Sequence, residues 1–169
     1  MNVLETPRLA LRELAPADAA FILELLNEPA WLRFIGDKQV RSLADAESYI
    51  RKGPMASYAR HGFGLWLTVR KNDNAPVGIC GLLKRDALDD VDLGFALLQR
   101  FHRLGYATEC AGATLAHARD AVGLQRLVAI TVPDNTASIR VLENLGLRFE
   151  KMIRLTPAAE ELKLFAIRF

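Results

Sequence analysis

Leu97-Leu-Gln-Arg-Phe-His-Arg-Leu-Gly-Tyr-Ala-Thr-Glu-Cys110 is the stretch on which the fold turns. An apolar strand runs out at Leu97 and Leu98, a basic turn follows, and Gly105-Tyr-Ala107 enters a helix rich in small residues. The first N–H groups of a helix have no intrahelical acceptor, and the helix dipole adds partial positive charge there. Small residues let an anion approach that backbone, and Arg100, His102 and Arg103 add cationic side chains beside it. Taken alone, a glycine in a strand-to-helix turn has an equally simple structural reading. The flanking segments decide between the two.

Upstream, three short segments with strand character follow one another: Leu65 to Arg70, Val77 to Leu83 and Val91 to Leu98. Lys71-Asn-Asp-Asn74 and the Asp86 to Asp90 run supply turns between them, so the segments read as an antiparallel meander. Downstream the period changes. Tyr106 to Val122 is a helix with Ala111, Leu115, Ala118 and Val122 on one face and Gly123 as its stop. Arg126 to Val132 is a β-branched strand, and Asn135 to Leu145 is a short helix ended by Gly146. Arg148 to Leu155 and Leu162 to Phe169 read as final strands. One strand–helix–strand crossover therefore sits in the middle, making two strands parallel in a largely antiparallel sheet.

Before the meander, Arg8-Leu-Ala-Leu-Arg-Glu13 alternates as a strand. Pro16 opens a helix bearing Phe21, Leu25 and Leu26, with Pro29 just beyond its end. Trp31, Phe34 and Ile35 then form an apolar loop, and Ser42-Leu-Ala-Asp45 caps a second helix that Gly53-Pro54 should kink or break. The fold class is α/β with a mixed sheet of about seven strands and helices on both faces, in one domain over residues 1–169.

Composition narrows the partners. A net charge of +2 is too small for nucleic acid as the main ligand. No apolar run is long enough to span a membrane, and Met1 to Leu14 carries Glu5, Arg8, Arg12 and Glu13 instead of an apolar signal core. The two cysteines, Cys80 and Cys110, suit reduced thiols of a cytoplasmic protein and make no metal-ligand spacing.

Gly105-Tyr-Ala-Thr-Glu109 resembles the pyrophosphate loop of the GNAT N-acetyltransferases, Q/R-x-x-G-x-G/A, and in particular the G-Y-A-T-E run of the branch containing the ribosomal-protein N-terminal acetyltransferases. His102 stands at the Q/R position, and Arg103 and Leu104 replace the usual glycine and its neighbour. Three more segments are similar to the family in the same order: Thr6-Pro-Arg-Leu-Ala-Leu-Arg12, His61-Gly-Phe-Gly-Leu-Trp66, and Asn135-Thr-Ala-Ser-Ile-Arg-Val-Leu-Glu-Asn-Leu-Gly-Leu147. The resemblance spans nearly the whole chain.

The resemblance implies a GNAT-like fold whose two parallel strands splay apart to admit the acyl-pantetheine arm of acetyl-CoA, with no metal. It places the cofactor on Phe95, Ala96, Leu97, Arg100, His102, Arg103, Leu104, Gly105, Tyr106, Ala107, Thr108, Asn135 and Ser138. A main-chain N–H between Phe95 and Leu98 would stabilise the oxygen that gains charge. Ser138 would protonate the leaving thiolate, because Leu142 stands where many relatives carry a tyrosine. Asn135 and Ser138 also read as ordinary first-turn helix residues.

Val91-Asp-Leu-Gly-Phe95 is similar to the strand on which histone acetyltransferase relatives carry a glutamate base, which makes Asp92 the candidate base. The alternative for Asp92 is a rim carboxylate facing solvent. Trp31 and Phe34 are candidates for the acceptor pocket. The implied activity is transfer of an acetyl group to a primary amine, on a protein N-terminus or a small molecule, by a monomer or homodimer. A non-catalytic acyl-CoA-binding or sensory module is the other reading.

Overall fold

The computed structural model describes all residues from Met1 to Phe169. Eight strands form one sheet: β1 Asn2–Glu5, β2 Leu9–Glu13, β3 Leu65–Arg70, β4 Ala75–Leu83, β5 Asp92–Leu97, β6 Arg126–Thr131, β7 Arg148–Ile153 and β8 Leu162–Arg168. Six α-helices accompany them: α1 Ala19–Leu26, α2 Pro29–Phe34, α3 Leu43–Ile50, α4 Ala56–His61, α5 Tyr106–His117 and α6 Thr136–Asn144. The strand order is β1-β2-β3-β4-β5-β6-β8-β7, antiparallel everywhere except between β5 and β6. The mixed sheet and its single crossover agree with the sequence.

Three features differ from the sequence reading or add to it. The eighth strand is β1, a four-residue edge strand only half shielded, too short to show an alternating pattern. Pro29 lies beyond the end of α1, as expected, but it also starts a helix: Glu28 is extended at the N-cap, and Pro29 takes the first helical position where its missing N–H costs nothing. Trp31 and Phe34 thus sit on α2, not in a loop. Gly53-Pro54 interrupts the helical run as expected, and a further helical piece follows it. A π-type turn over Arg51–Met55 takes up the proline and leads into α4. Finally, β8 inserts between β6 and β7, an order that local sequence does not encode.

The caps follow from local chemistry. Ser42 accepts the Asp45 N–H at 3.0 Å and fixes the start of α3. Asp18 accepts the Ala15 N–H at 2.8 Å and pairs with Arg12, setting the entry to α1. Alternation along β3 divides the core between the sheet's faces. Trp66 meets the His117 ring of α5 edge-on at 5.4 Å on one face, while Leu65 lines a cavity with Trp31 of α2 and Tyr49 of α3 on the other. Cys80 and Cys110 are free and fully buried between β4 and α5. No helix is long and apolar enough to cross a membrane.

Candidate active site

The turn before α5 presents its backbone. Arg103 and Gly105 both adopt left-handed conformations, with φ of 63° and 81°. Arg103 therefore keeps the backbone shape of the glycine it replaces, at the modest strain a non-glycine residue bears there. The first helical hydrogen bond runs from Glu109 N to Gly105 O at 3.1 Å. The N–H groups of Arg103, Leu104, Gly105, Tyr106, Ala107 and Thr108 donate to no acceptor in the protein. Six consecutive free donors at the mouth of a helix suit a di-anion.

The side chains around this turn are arranged differently from the expectation. Arg100 reaches away, pairing with Glu24 of α1 at 2.6 Å. His102 Nε2 lies 2.9 Å from the Leu97 carbonyl oxygen and closes the turn. Arg103 and Thr108 are exposed, and Tyr106 is buried beneath the Arg8 guanidinium, 4.5 Å from its ring centre. The residues holding the turn in place come from the connection between β1 and β2. Arg8 Nη1 donates to the Leu104 carbonyl at 2.9 Å, and Arg8 Nε and N donate to the two Glu109 carboxylate oxygens at 2.7 and 2.9 Å. Thr6 Oγ1 donates to the same carboxylate at 2.5 Å. Sequence reasoning missed this clamp, although Thr6, Arg8 and Glu109 each lie inside a quoted motif.

Beside the turn the two parallel strands part. Their one registered pair is Asp92 with Val128, sealed by Val128 N donating to Val91 O at 3.1 Å. The β4–β5 ladder, by contrast, runs on to Gly78 opposite Leu97. Its parity is fixed by Leu98 N donating to Val77 O at 2.9 Å. Even-numbered residues of β5 thus spend their main-chain groups on β4, and those of Phe95 and Leu97 face the gap toward β6. Ala96 contributes only its side chain to the gap. The N–H of Leu98 is occupied by Val77 and is not a free donor.

The gap opens into a cavity of about 350 Å³ lined by Gly94, Phe95 and Ala96 on one strand and Ala129, Ile130 and Thr131 on the other. Asn135, Ser138 and Leu142 of the α6 region also line it. Asn135 is the N-cap, its Oδ1 accepting the Ser138 N–H at 3.3 Å, while the Ser138 hydroxyl has no protein partner. Trp31 and Phe34 reach the cavity from α2.

Asp92 faces this cavity and is 1% exposed, so it is not a solvent-facing rim carboxylate. Arg85 Nε meets its two oxygens at 3.1 and 3.3 Å. Burial pushes the Asp92 carboxyl up to about 6 against the opposing pull of Arg85. A carboxylate near that value is available as a base at neutral pH and can still take a proton. Arg85, Lys38 and Tyr49 line the same end of the cavity, and no sequence motif marked them. The other histidines stand apart: His61 stacks on Phe63 at the end of α4, and His117 packs on Trp66, where burial lowers its basicity.

A glycine-containing turn of free N–H groups, a splayed parallel strand pair and a cavity between them define an acyltransferase of the acetyl-transferring kind. The chain belongs to the GNAT acetyltransferase family, whose domain model matches residues 8–148. Among curated relatives, the N-acetyltransferase YoaA of Bacillus subtilis is 27% identical over 90% of this chain and 86% of its own length. YkkB of the same organism is 29% identical over 89% and 88%. The GNAT-family acetyltransferase of Bacillus anthracis superposes with a TM-score of 0.80 at 23% identity, covering 98% of this chain and 97% of that one. RimL, a ribosomal L7/L12 alpha-N-protein acetyltransferase in complex with coenzyme A, superposes with a TM-score of 0.84 at 17% identity, over 99% and 98%. The likeness in fold extends over nearly the whole of each chain.

Proposed function

We propose that the chain is an acetyl-CoA-dependent N-acetyltransferase that moves the acetyl group to a primary amine by direct attack within a ternary complex. The observation that carries this reading is the splay of β5 from β6 beside six free N–H groups, with Asp92 buried at the closed end of the gap. Acetyl-CoA supplies an activated thioester. The Arg103–Thr108 turn fits its pyrophosphate through backbone donors, and the Phe95 main chain together with the Leu97 N–H fits the amides of its arm in the manner of an added strand, the Leu97 carbonyl being taken by His102.

Parity leaves the N–H of Phe95 or Leu97 as the donor for the thioester oxygen as it gains charge. Asp92, through a water, removes the proton that an ammonium must lose before its nitrogen can attack. The Ser138 hydroxyl, free of protein partners, donates to the departing thiolate. A thiol with an ordinary value near 8.5 leaves without a strong acid, so a serine suffices where Leu142 replaces tyrosine. The acceptor is the amine of a small molecule or of a protein N-terminus.

Calorimetry with coenzyme A and thiol release from acetyl-CoA across an amine panel test this together. Saturable binding with amine-dependent release is expected. Absence of binding at millimolar coenzyme A refutes the site, and binding without release on any amine leaves an acyl-CoA-binding module.

A further inference from the structure

The closed end of the cavity carries charge that the transfer chemistry just proposed does not use. Lys38 and Arg85 both line it, near enough to repel each other. Arg85 spends only its Nε on Asp92, leaving both Nη groups without a protein acceptor, and Lys38 has no acidic partner at all. Desolvation together with the Arg85 charge depresses the basicity of Lys38. Asp92 is the single carboxylate on the cavity wall.

An adjoining recess of about 280 Å³ shares Tyr49, Leu65 and Leu83 with the cavity and adds Lys52, Arg60, His61 and Lys84, with no acidic residue. Trp31 presents a buried indole N–H with no partner on the same cavity wall. In a chain whose formal net charge is +2, this is a local concentration of cations and donors. It does not serve the pyrophosphate. Asp92 and Leu97 mark opposite ends of β5, roughly 16 Å apart at about 3.3 Å per residue, and the anion turn follows Leu97.

We propose that the acceptor amine belongs to a molecule that also carries a carboxylate, phosphonate or phosphate, and that Lys38 and the Arg85 Nη groups bind this anionic group. This rests on the acetyl-transfer reading for the role of the site, but anion binding itself does not require turnover. Lys38, which has no acidic partner, and the Arg85 Nη groups left over from the Asp92 pair leave this end of the cavity with a net positive charge that an entering anion would neutralise. The same pair repels a polycation and disfavours the ammonium form of any bound amine, so that Asp92 has the proton to remove from a group already inclined to lose it.

Matched acceptors test the proposal: alanine against alaninamide, 2-aminoethylphosphonate, spermidine, and short peptides with Asp or Lys at the second position. Thiol release gives kcat/KM for each. In parallel, calorimetry on the protein saturated with coenzyme A compares N-acetylalanine with N-acetylalaninamide. At least a tenfold preference for the anionic member of each pair is expected in both measurements, of the size that one retained charge-assisted hydrogen bond gives. Lys38→Gln should shrink that preference and Lys38→Glu should abolish or invert it.

Preference among free amines places the anion on a small molecule, and preference confined to the Asp peptides places it on a peptide. Both outcomes support the anion site. Equal handling of acid and amide, or better turnover of spermidine, with no response to Lys38→Glu, overturns it. No release on any acceptor, with the calorimetric preference intact and sensitive to Lys38, refutes amine acetylation and leaves the anion site standing.

Discussion

The two ends of β5 present opposite kinds of polar group. Beyond Leu97 the polar groups are main-chain N–H donors, and the side chains that matter, Thr6, Arg8 and Glu109, act behind them as a brace. At Asp92 the strand pairing holds the backbone, and the polar groups on the cavity wall are side chains drawn from separate segments: Lys38 after α2, Tyr49 on α3 and Arg85 after β4. A main-chain surface depends on backbone shape more than on its side chains, and Arg103 at φ 63° keeps that shape. A side-chain site changes its chemistry with each substitution.

The largest effect should come from the side-chain end. Asp92→Asn is expected to lower turnover by about 10²–10⁴-fold, the range for a positioned base. In the parent, kcat/KM should rise with pH through about 6, the value to which burial raises this carboxyl, and the variant should lack that limb. Stability runs the other way. The folded-state value lies above the ordinary carboxylate value, so the stabilising contribution of protonated Asp92 is complete below about pH 4 and is lost as pH rises past 6. Denaturation at pH 5 and pH 8 should show this loss in the parent and not in Asp92→Asn. A pH–rate profile identical in both proteins would return Asp92 to a structural pairing with Arg85.

Next, Gly105→Val should weaken coenzyme A binding by roughly 10–100-fold, the loss of one or two hydrogen bonds to a charged group. A Cβ at Gly105 would sit 3.2 Å from Arg8 Nη2, and φ of 81° is poor for a β-branched residue. Some loss of stability, about 1–2 kcal/mol, accompanies the binding defect. Unchanged affinity in the folded variant would mean that the anion sits elsewhere. A smaller effect is expected from Arg8→Ala: about three- to tenfold in coenzyme A affinity, because exposed pairs give only about 0.2–1 kcal/mol each and the Thr6–Glu109 bond remains. Acceptor preference should not move. If it does, the two ends of β5 are not independent.

The same contrast explains what could be read from the letters. The anion turn, the meander and the crossover rest on glycine placement, turn residues and a change of period, all local signals, and these gave the sheet and the loop. Asp92 was visible because a carboxylate breaks an apolar strand, but its burial depends on Arg85, seven residues away across a turn. The Arg100–Glu24 pair, the Thr6–Arg8–Glu109 brace and the Lys38–Arg85 pair each join segments brought together only by folding. Helix α2 was read as a loop because a proline that follows one helix and also opens the next looks the same in sequence as one that only follows. The insertion of β8 between β6 and β7 is likewise a property of the assembled sheet.

The smallest effect should come from Ser138→Ala, and it tests the hinge between the two ends. Ser138 lies on the cavity wall in the first turn of α6, with Leu142 one turn further on. Its N–H is taken by Asn135 Oδ1, while its hydroxyl has no partner in the protein. Removing the hydroxyl therefore leaves the cap intact, and alanine is the better helix former. Stability and coenzyme A affinity should stay close to the parent. Turnover should fall only a few-fold, below the roughly 10²-fold of a dedicated proton donor, because thiolate is a tolerable leaving group on its own. The loss should shrink as pH rises toward the ordinary thiol value near 8.5, where the thiolate needs less help. A uniform loss at every pH would assign Ser138 to positioning the thioester. Rates equal to the parent throughout would make it a helix residue and leave the thiolate to take its proton from water.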